Sequence, residues 1–399
     1  MLLTPETTML AIVGALLMRW VVFIGAAVLD HARQRRRDAA IAQVTDLPTV
    51  TVIVPAFNEG RVIAATVQSV AASDYVGLEI IVVDDGSSDD TVRAARDSGV
   101  ELEVLVLEQN VGKAAALNAA IATAKGDIIV TVDADTHVAP DCISLLARTM
   151  SHTGADAVCS NVKVGNRSGI LGHWQSLEYV TGLNIDRRAQ CLIGVITTVP
   201  GAAAAWKTSV LRELGGFPTQ TLAEDTDLSL TMLRHGCSIE FADRAISRTE
   251  APSTWGQLFR QRVRWLYGNL QCAAKHSAVY WSPAPWKTRL LALPNLWFAH
   301  LGIYLLFPLS IIYVVGFRQI VTLDVLSVAV GALFSLDLAT AFAAYRMDRD
   351  DLTELVHAPL QRFGYPFFLW TVFAAVVLRI AARSPMGWNK LERSGALDG

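Results

Sequence analysis

The segment Val50–Asp85, VTVIVPAFNEGRVIAATVQSVAASDYVGLEIIVVDD, contains two short apolar runs separated by a stretch with helical periodicity. The runs Val50–Pro55 and Leu78–Val83 are rich in valine and isoleucine, which predicts two buried strands. Between them, Val62–Ala72 has the apolar spacing of a helix. The order strand, helix, strand is typical of a pair of parallel strands joined by a crossover helix.

The same alternation continues further along the chain. Leu102–Leu107 and Ile128–Val132 predict two more buried strands. Helices are predicted at Thr91–Ser98, Lys113–Ala124 and Pro140–Ser151. The sequence therefore predicts an α/β domain, at roughly residues 45–250, in which a mostly parallel sheet carries helices on both faces.

Polar residues follow each of the four predicted strands. These clusters are Asn58-Glu59, Asp84–Ser87, Asn110–Lys113 and Asp133–Asp135. Any one of them is also typical of a simple turn or helix cap. Since parallel strands carry their ligand sites at their carboxyl ends, we expect the four clusters to meet at one edge of the sheet.

The charges of these clusters indicate a cation and a phosphate. Carboxylates at 84, 85, 133 and 135 repel one another unless a cation compensates them. Mg²⁺ or Mn²⁺ suits carboxylate oxygens and is usually shared with substrate phosphates. Lys113, which begins a helix after a glycine turn, is placed to contact a phosphate. We therefore expect a metal-bound diphosphate here.

Four apolar runs outside this domain predict membrane spans. The first, Thr7–Leu29, is interrupted only by Arg19 and is followed by the basic cluster Arg33–Arg37, which places the next domain in the cytoplasm. The other three runs are Leu290–Phe317, Val325–Tyr345 and Phe363–Ala382. They predict a multi-pass protein of the cell inner (plasma) membrane, with membrane lipids as partners. Two prolines, Pro294 and Pro308, leave open whether the first of these three runs is re-entrant.

Arg19 lies near the middle of the first predicted span. A charge at this depth is costly, so we expect it to face other helices and to have a polar partner. The candidate partner is Asp337, inside the third span; a lipid phosphate or a product path is the alternative.

Charge and cysteine content exclude other classes of protein. The formal net charge is −3 and there is no further basic block, so no nucleic acid is expected as a partner. The five cysteines contain no CxxC pair, which favours reduced thiols without disulfide or zinc.

Six ordered motifs together resemble those of glycosyltransferase family 2. They are PAFNE (Pro55–Glu59), DDGS (Asp84–Ser87), NVGKAAALN (Asn110–Asn118), DAD (Asp133–Asp135), AED (Ala223–Asp225) and QRVRW (Gln261–Trp265). Within the family they are most similar to the membrane synthases of poly-N-acetylglucosamine, chitin oligosaccharide, hyaluronan and cellulose. The resemblance runs from about residue 48 to the C-terminus. It implies a GT-A-like (Rossmann-like) domain at 31–250, a transmembrane helix at 1–30, amphipathic interface helices at 251–288, and a C-terminal region of about three transmembrane helices and a tail at 289–399.

The resemblance also implies roles for individual residues. Asp85 would contact the uracil or ribose of a UDP-sugar, Asp135 would bind Mg²⁺ or Mn²⁺ together with Asp133, and Asp225, beside Glu224, would be the general base. The remaining donor-binding residues would be Pro55, Asn58, Glu59, Lys113 and Asp133. Gln261 and Arg264 would lie near the diphosphate, with Trp265 as a platform for the acceptor.

Two features allow other interpretations. Carboxylates such as Glu224 and Asp225 in the first turn of a helix are also favoured by the helix dipole. The helix that carries QRVRW also has the pattern of a basic amphipathic helix on a membrane surface. Ala223 stands where the family often has threonine, which removes one hydroxyl beside the base.

The implied function is inverting, metal-dependent and processive transfer of a sugar from UDP to a growing polysaccharide, with export. N-acetylglucosamine is the favoured sugar because the chain length, the predicted spans and the tail Gly387–Gly395 are similar to the poly-N-acetylglucosamine branch. A small accessory membrane subunit is compatible with this. The alternatives are a non-processive enzyme that glycosylates a lipid and a transporter with a degenerate nucleotide-binding domain. Intact Asp85, Asp133, Asp135 and Asp225 argue against the transporter.

Overall fold

The computed structural model describes residues 5–302, 304–305, 316, 323–384 and 395. It begins with helix α1 (Pro5–Ala42), which contains the predicted span Thr7–Leu29. The helix does not end with that span but continues through the Arg33–Arg37 cluster. It packs along a helix of the α/β domain, so the N-terminal helix and the domain are joined directly.

The first half of the α/β domain confirms every predicted strand and helix to within two residues at each end. The elements are β1 (Val50–Ala56), α2 (Ile63–Ala71), β2 (Glu79–Asp84), α3 (Thr91–Arg96), β3 (Glu103–Val106), α4 (Lys113–Thr123), β4 (Ile128–Val132), β5 (Thr136–Val138) and α5 (Cys142–Thr153).

The second half completes one eight-stranded sheet in the order β3-β2-β1-β4-β7-β6-β8-β5. Its elements are β6 (Ala157–Val164), α6 (Gly169–Glu178), a π-helical segment (Tyr179–Asn184), α7 (Ile185–Ile193), β7 (Ala203–Lys207), α8 (Thr208–Glu213), α9 (Glu224–Arg234) and β8 (Ile239–Thr249).

The sheet is mixed rather than mostly parallel. Strands β1 to β4 are parallel as predicted, but β7 is antiparallel to both β4 and β6, and β5 is antiparallel to β8. The sequence does not predict β7 because this strand is largely alanine, a residue with low β propensity.

Two apolar layers cover the two faces of the sheet. Val52 and Val54 point to the layer formed with α2 and α5, whereas Ile53 points to the layer formed with α4 and α9. Successive side chains of a strand face opposite sides, so β1 contributes to both layers, and every residue of this strand except Pro55 is buried. Helices on both faces are thus confirmed.

The remaining described elements follow the sheet. They are α10 (Trp255–Lys275), a 3₁₀ segment (His276–Trp281), a π segment (Thr288–Ala292), α11 (Leu293–Trp297), a π segment (Phe298–Gly302), α12 (Leu323–Asp348), a 3₁₀ segment (Leu352–His357) and α13 (Ala358–Ala381). Within the described ranges, one helical stretch, Leu352–Ala381, is long and apolar enough to cross a membrane by length and composition. Part of the predicted span Leu290–Phe317, and the tail Gly387–Gly395 except Gly395, lie outside the described residues.

Arg19 has polar partners, as expected, but Asp337 is not one of them. Its Nη2 donates to Oδ1 of Asn295 at 3.1 Å and lies 3.8 Å from Oδ2 of Asp186. Asp337 instead pairs with Arg362 of α13 at 2.5 Å. The predicted partner was wrong because α1 packs against α7, which carries Asp186.

A buried ionic network attaches α12 to the sheet. Asp348, at the end of α12, lies 2.5 Å from Lys163 Nζ and 2.7 Å from Arg188 Nη2. Arg188 also pairs with Asp243 at 2.8 Å. Their side chains are nearly inaccessible to water, so each charge depends on its partners for compensation.

Candidate active site

A cavity of about 370 Å³ lies beside the loop that follows β4. Its walls come from this loop, from the segment that precedes β7, from the start of α9 and from α10. The predicted site residues that line it are Lys113, Asp133, Asp135, Glu224, Asp225, Gln261, Arg264 and Trp265. The structure therefore brings together the DAD, AED and QRVRW motifs, which lie far apart in the sequence.

Lys113 joins two of these motifs. Its Nζ lies 2.6 Å from Oδ1 of Asp133 and 3.2 Å from Oε1 of Glu224. Burial by itself lowers the pKa of Lys113, but the two carboxylates outweigh burial and raise it above its ordinary value. Gly201 makes room for this ion pair, since a Cβ at that position would lie 2.7 Å from Nζ.

Asp85 organises the loop before Lys113. Its Oδ1 accepts a hydrogen bond from the Val111 amide at 2.7 Å, and its Oδ2 accepts one from the Gly112 amide at 2.9 Å. Burial raises the pKa of Asp85, and the two amide bonds oppose this effect. Through these two hydrogen bonds, the Asp85 carboxylate stabilises the turn that precedes α4.

Four predicted donor-binding residues do not line the cavity. Pro55, Asn58, Glu59 and Asp85 form an adjoining shelf at the ends of β1 and β2. On this shelf, Oδ1 of Asn58 accepts a hydrogen bond from the Ser88 amide at 2.7 Å. The four polar clusters thus divide between a shelf and a cavity, with Lys113 and the turn before it connecting the two.

Asp225 has the properties of a proton acceptor. One of its oxygens accepts a hydrogen bond from the Thr226 amide at 2.7 Å, which fixes the carboxylate at the start of α9. Burial, with help from Glu224 and against the opposing charge of Lys113, raises the pKa of Asp225 to about 6. A helix N-terminus by itself would lower this pKa, so burial and the neighbouring Glu224 outweigh the effect of the helix dipole at Asp225.

The QRVRW motif contributes one face of α10 to the cavity. Gln261 is buried, and the indole of Trp265 packs against an apolar cluster that includes Val162, Tyr179 and Ala202. Sequence reasoning missed Arg262, whose guanidinium lies 4.2 Å from the centroid of the Trp265 ring. This guanidinium also pairs with Glu178 at 2.5 Å.

The guanidinium of Arg262 lies over one side of the Trp265 indole and is held there by its ion pair with Glu178. Both charges are largely buried, so either one would be costly without the other. The signal in the sequence was Glu178, the one carboxylate in the helix GILGHWQSLE.

A second missed feature is a row of hydrogen-bonded side chains along the cavity wall. The Thr226 hydroxyl lies 3.0 Å from the Thr198 hydroxyl and donates to Oδ1 of Asn269 at 2.8 Å. Nδ2 of Asn269 lies 3.0 Å from Nε2 of His300. The row connects the residue after Asp225 with α10 and with the π segment after α11.

The carboxylates after β4 fit a divalent cation only in part. Among the described residues, no group of three or more His, Cys, Asp or Glu side chains has the arrangement of a metal site. Asp133 is engaged by Lys113, and Oδ1 of Asp135 lies 3.3 Å from the Thr249 hydroxyl. Two carboxylates on one loop suit Mg²⁺ or Mn²⁺ when phosphate oxygens and water complete the coordination.

Comparison with protein families assigns most of this region. The model of the family described as "Glycosyltransferase like family 2" matches residues 48–268, which include the whole sheet and the motifs that line the cavity.

Curated relatives point to the same family. A poly-beta-1,6-N-acetyl-D-glucosamine synthase of Staphylococcus epidermidis is 30% identical over 256 residues, which cover 63% of this chain and 61% of that protein. An N-acetylglucosaminyltransferase of Rhizobium leguminosarum bv. viciae is 35% identical over 277 residues, 65% of each chain. The chain thus spans less than two thirds of the length of the curated relatives it matches.

One solved structure resembles most of the molecule. A mannosyltransferase from Pyrobaculum calidifontis, in complex with GDP-Man and Mn²⁺, superposes with a TM-score of 0.59 at 24% identity. The match covers 86% of this chain and 96% of that one, and it shows a shared mixed α/β, GT-A-like fold. By its fold and its family match, this chain belongs to glycosyltransferase family 2.

Proposed function

We propose that this protein transfers N-acetylglucosamine, with inversion, from UDP-N-acetylglucosamine to the growing end of a polysaccharide. The observation that carries the proposal is one cavity that joins Lys113, Asp133 and Asp135 to a raised-pKa carboxylate, Asp225, and to the indole of Trp265. The choice of sugar is supported by the relatives, which are named for N-acetylglucosamine transfer or polymerisation.

The donor would lie across the shelf and the cavity. The nucleoside would occupy the shelf near Asp85, and the diphosphate would extend toward Lys113. Gln261 and Arg264, which line the cavity from α10, would contact the phosphate oxygens. Guanidinium groups suit this task because their N–H donors match two phosphate oxygens at once.

Mg²⁺ or Mn²⁺ would be held by Asp135 and Asp133 together with the diphosphate. When bound, the ion neutralises charge on the departing diphosphate. Lys113 would contribute a second positive charge at the same place, because its ion pairs with Asp133 and Glu224 keep it protonated. The leaving UDP is thus stabilised without protonation by an acid.

Asp225 would act as the general base. The acceptor hydroxyl oxygen forms a bond to the anomeric carbon while the bond from that carbon to the diphosphate oxygen breaks, and UDP leaves with the electron pair. The hydroxyl proton passes to the carboxylate of Asp225. Since Thr226 holds one carboxylate oxygen, the other is free to face the acceptor.

The acceptor would stack on Trp265. An indole face suits the apolar face of a pyranose ring, and Arg262 with Glu178 fixes the indole in place. The cavity is also lined by Asn295, His300 and Tyr304, which belong to the predicted span Leu290–Phe317. A processive, multi-pass inner-membrane enzyme with a cytoplasmic catalytic domain would release its chain toward these residues.

A lipid acceptor is the second candidate. The same cavity, with Leu296, Ala299 and Leu369 in its wall, would also admit the apolar part of a glycolipid. An enzyme of this kind would add one sugar and stop.

The test is donor turnover by the purified full chain in lipid nanodiscs, with Mg²⁺ or Mn²⁺ and each common UDP-sugar in turn. We expect UDP release and a saccharide product with UDP-N-acetylglucosamine, and loss of both in Asp135→Ala or in excess chelator. Undiminished turnover in chelator would contradict the metal assignment. A clear preference for another donor would contradict the choice of sugar.

A further inference from the structure

Two adjacent arginines of α7 differ in their direct partners. Arg188 is 1% exposed and forms ion pairs with Asp243 at 2.8 Å and with Asp348 at 2.7 Å. Arg187 is 8% exposed and, within the part of the chain that the structure describes, forms no ion pair with a carboxylate. Its Nη1 donates to Oδ1 of Asn184 at 3.2 Å. Arg188 therefore has two direct carboxylate partners, whereas the charge of Arg187 is offset only at longer range, by carboxylates such as Asp348 and by the Phe241 ring, whose centroid lies 5.7 Å from its guanidinium.

Arg187 lies in the wall of the cavity described above. A guanidinium has five N–H donors, and the bond to Asn184 uses one of them. Burial lowers the pKa of Arg187, which reflects the cost of holding this charge away from water. A buried cation without a carboxylate partner destabilises a fold, so its presence in a cavity indicates a ligand that completes its hydrogen bonds.

The position of Arg187 favours the acceptor end of the cavity. The donor end is marked by Lys113 and Asp133, which already pair with each other. Arg187 comes instead from α7, next to the segment Tyr179–Asn184, and Trp265 packs against the apolar cluster that includes Tyr179. Asp225 is close enough for its charge to raise the pKa of Arg187. A sugar whose hydroxyl lies at Asp225 therefore has its other oxygen atoms within the same part of the cavity.

We propose that Arg187 binds the acceptor sugar through its oxygen atoms, chiefly through the carbonyl oxygen of an N-acetyl group. This proposal rests on the proposed function, because it specifies the acceptor of that reaction. The carbonyl oxygen of an amide is a good hydrogen-bond acceptor, and the guanidinium can donate N–H groups to it although the acetamido group carries no charge. A de-N-acetylated amino sugar presents an ammonium group instead, which the guanidinium repels. Arg187 thereby selects acetylated over de-N-acetylated acceptors.

The test is acceptor binding in the absence of turnover. Full-length protein in nanodiscs, saturated with UDP and Mg²⁺, is titrated with β-1,4- and β-1,6-linked trimers of N-acetylglucosamine and with their de-N-acetylated counterparts. We expect the wild type to prefer the acetylated trimers. Arg187→Gln should weaken their binding by about 10- to 100-fold, the usual effect of losing a hydrogen bond from a charged group. Arg187→Lys should retain part of the affinity, since it keeps the charge but loses the planar fork.

Arg188→Gln is the matched control. It leaves Asp348 and Asp243 without their guanidinium, so it should lower the melting temperature clearly. Arg187→Gln should leave the melting temperature unchanged or raise it, because Arg187 forms no direct ion pair, so its removal strands no buried carboxylate.

Four results would overturn the proposal. Two concern binding by Arg187→Gln: a trimer affinity equal to that of the wild type, or a loss of UDP affinity as large as its loss of trimer affinity. The third is a fall in the melting temperature of Arg187→Gln as large as that of Arg188→Gln. The fourth is equal binding of acetylated and de-N-acetylated trimers by the wild type. Turnover is measured separately. Arg187-dependent trimer binding without any use of UDP-N-acetylglucosamine would contradict the proposed function and support the role of Arg187.

Discussion

The raised pKa of Asp225 predicts how the rate of the proposed reaction depends on pH. As the proposed base, Asp225 would take the proton of the acceptor hydroxyl only in its deprotonated form, and burial raises its pKa to about 6. We therefore expect kcat/KM to fall as the pH drops through about 6 and to level off above it. The measurement is UDP release across the acidic and neutral range. A rate that is constant through that region would contradict Asp225 as the base.

Replacement of Asp225 by asparagine separates chemistry from binding. Asn keeps the size of the side chain but cannot accept a proton, so transfer should fall by about 10²- to 10⁴-fold, the usual contribution of a general base. UDP affinity, measured by calorimetry, should stay close to that of the wild type. A matched variant is Asp227→Asn, two residues along the same helix. Asp227 is bound by Lys275 at 2.7 Å and by His276 at 2.7 Å, so this change should reduce thermal stability.

Helix α10 packs closely, at Gly268, against the residues that precede the proposed base Asp225. A Cβ at Gly268 would lie 2.9 Å from Cβ of Ala223 and 3.0 Å from its amide nitrogen, immediately before Glu224 and Asp225. Gly268→Ala should therefore displace the start of α9 and lower kcat. Overpacking of this kind costs about 1–3 kcal/mol, more than the ~1 kcal/mol that alanine gains in helix propensity.

Gly256 in the same helix is the control for that substitution. A Cβ there would meet only Nη1 of Arg260, at 3.7 Å, which is ordinary contact. Gly256→Ala should keep wild-type kcat and leave the melting temperature unchanged or slightly raised, both measured in parallel with Gly268→Ala. If the two variants behaved alike, close packing of α10 on the AED loop would not be what positions Asp225.

The elements that were predicted correctly are those with strong local patterns. Strands such as Ile128–Val132 are continuous β-branched runs, and α4 follows a glycine turn with a run of alanines. Strand β7 has no such pattern, since its alanines fit a crowded sheet interior but do not favour a strand by themselves. The antiparallel half of the sheet could therefore not be predicted.

Side-chain contacts between elements that are distant in the sequence could not be predicted, for a different reason. The DAD, AED and QRVRW residues could be assigned to one site from the family resemblance, and the structure brings them together in one cavity. The partners of Arg19 and the pair of Arg262 with Glu178 depend instead on which helices pack side by side. Sequence patterns gave the faces of these helices but not their neighbours.

At the scale of the whole molecule, buried ion pairs of Asp348 connect the end of α12 to the α/β domain. Asp348→Asn would leave Lys163 and Arg188 with less compensation in a buried site. Breaking one partner of a buried ion pair typically costs about 3–5 kcal/mol, so the melting temperature should fall by several degrees. Asp351→Asn, at an exposed position three residues away, should leave it unchanged. Equal melting temperatures for both variants would show that the network does not hold α12 in place.

The extent of the cavity bears on whether one sugar or many are added. The same cavity is lined by Asp225, the proposed base, by Trp265, the proposed platform, and by Tyr304 and Leu369, which belong to two of the predicted membrane spans. A growing chain held at Trp265 after each transfer would be directed along these last two residues. We therefore expect the wild type to make products several sugars long from UDP-N-acetylglucosamine without added lipid. Mass spectrometry of the products measures their length.

Trp265→Ala tests the same idea at the platform. Loss of a stacking surface costs about 1–3 kcal/mol, so chain extension should collapse while UDP binding and slow release of free sugar persist. The matched variant is Trp281→Ala, since Trp281 is 93% exposed and does not line the cavity; it should make wild-type product. If the wild type stopped at one sugar on a lipid, whatever the excess of donor, the cavity would be a lipid-acceptor site. The residues of the predicted spans that line it would then bind the acyl or prenyl chain rather than direct a polymer.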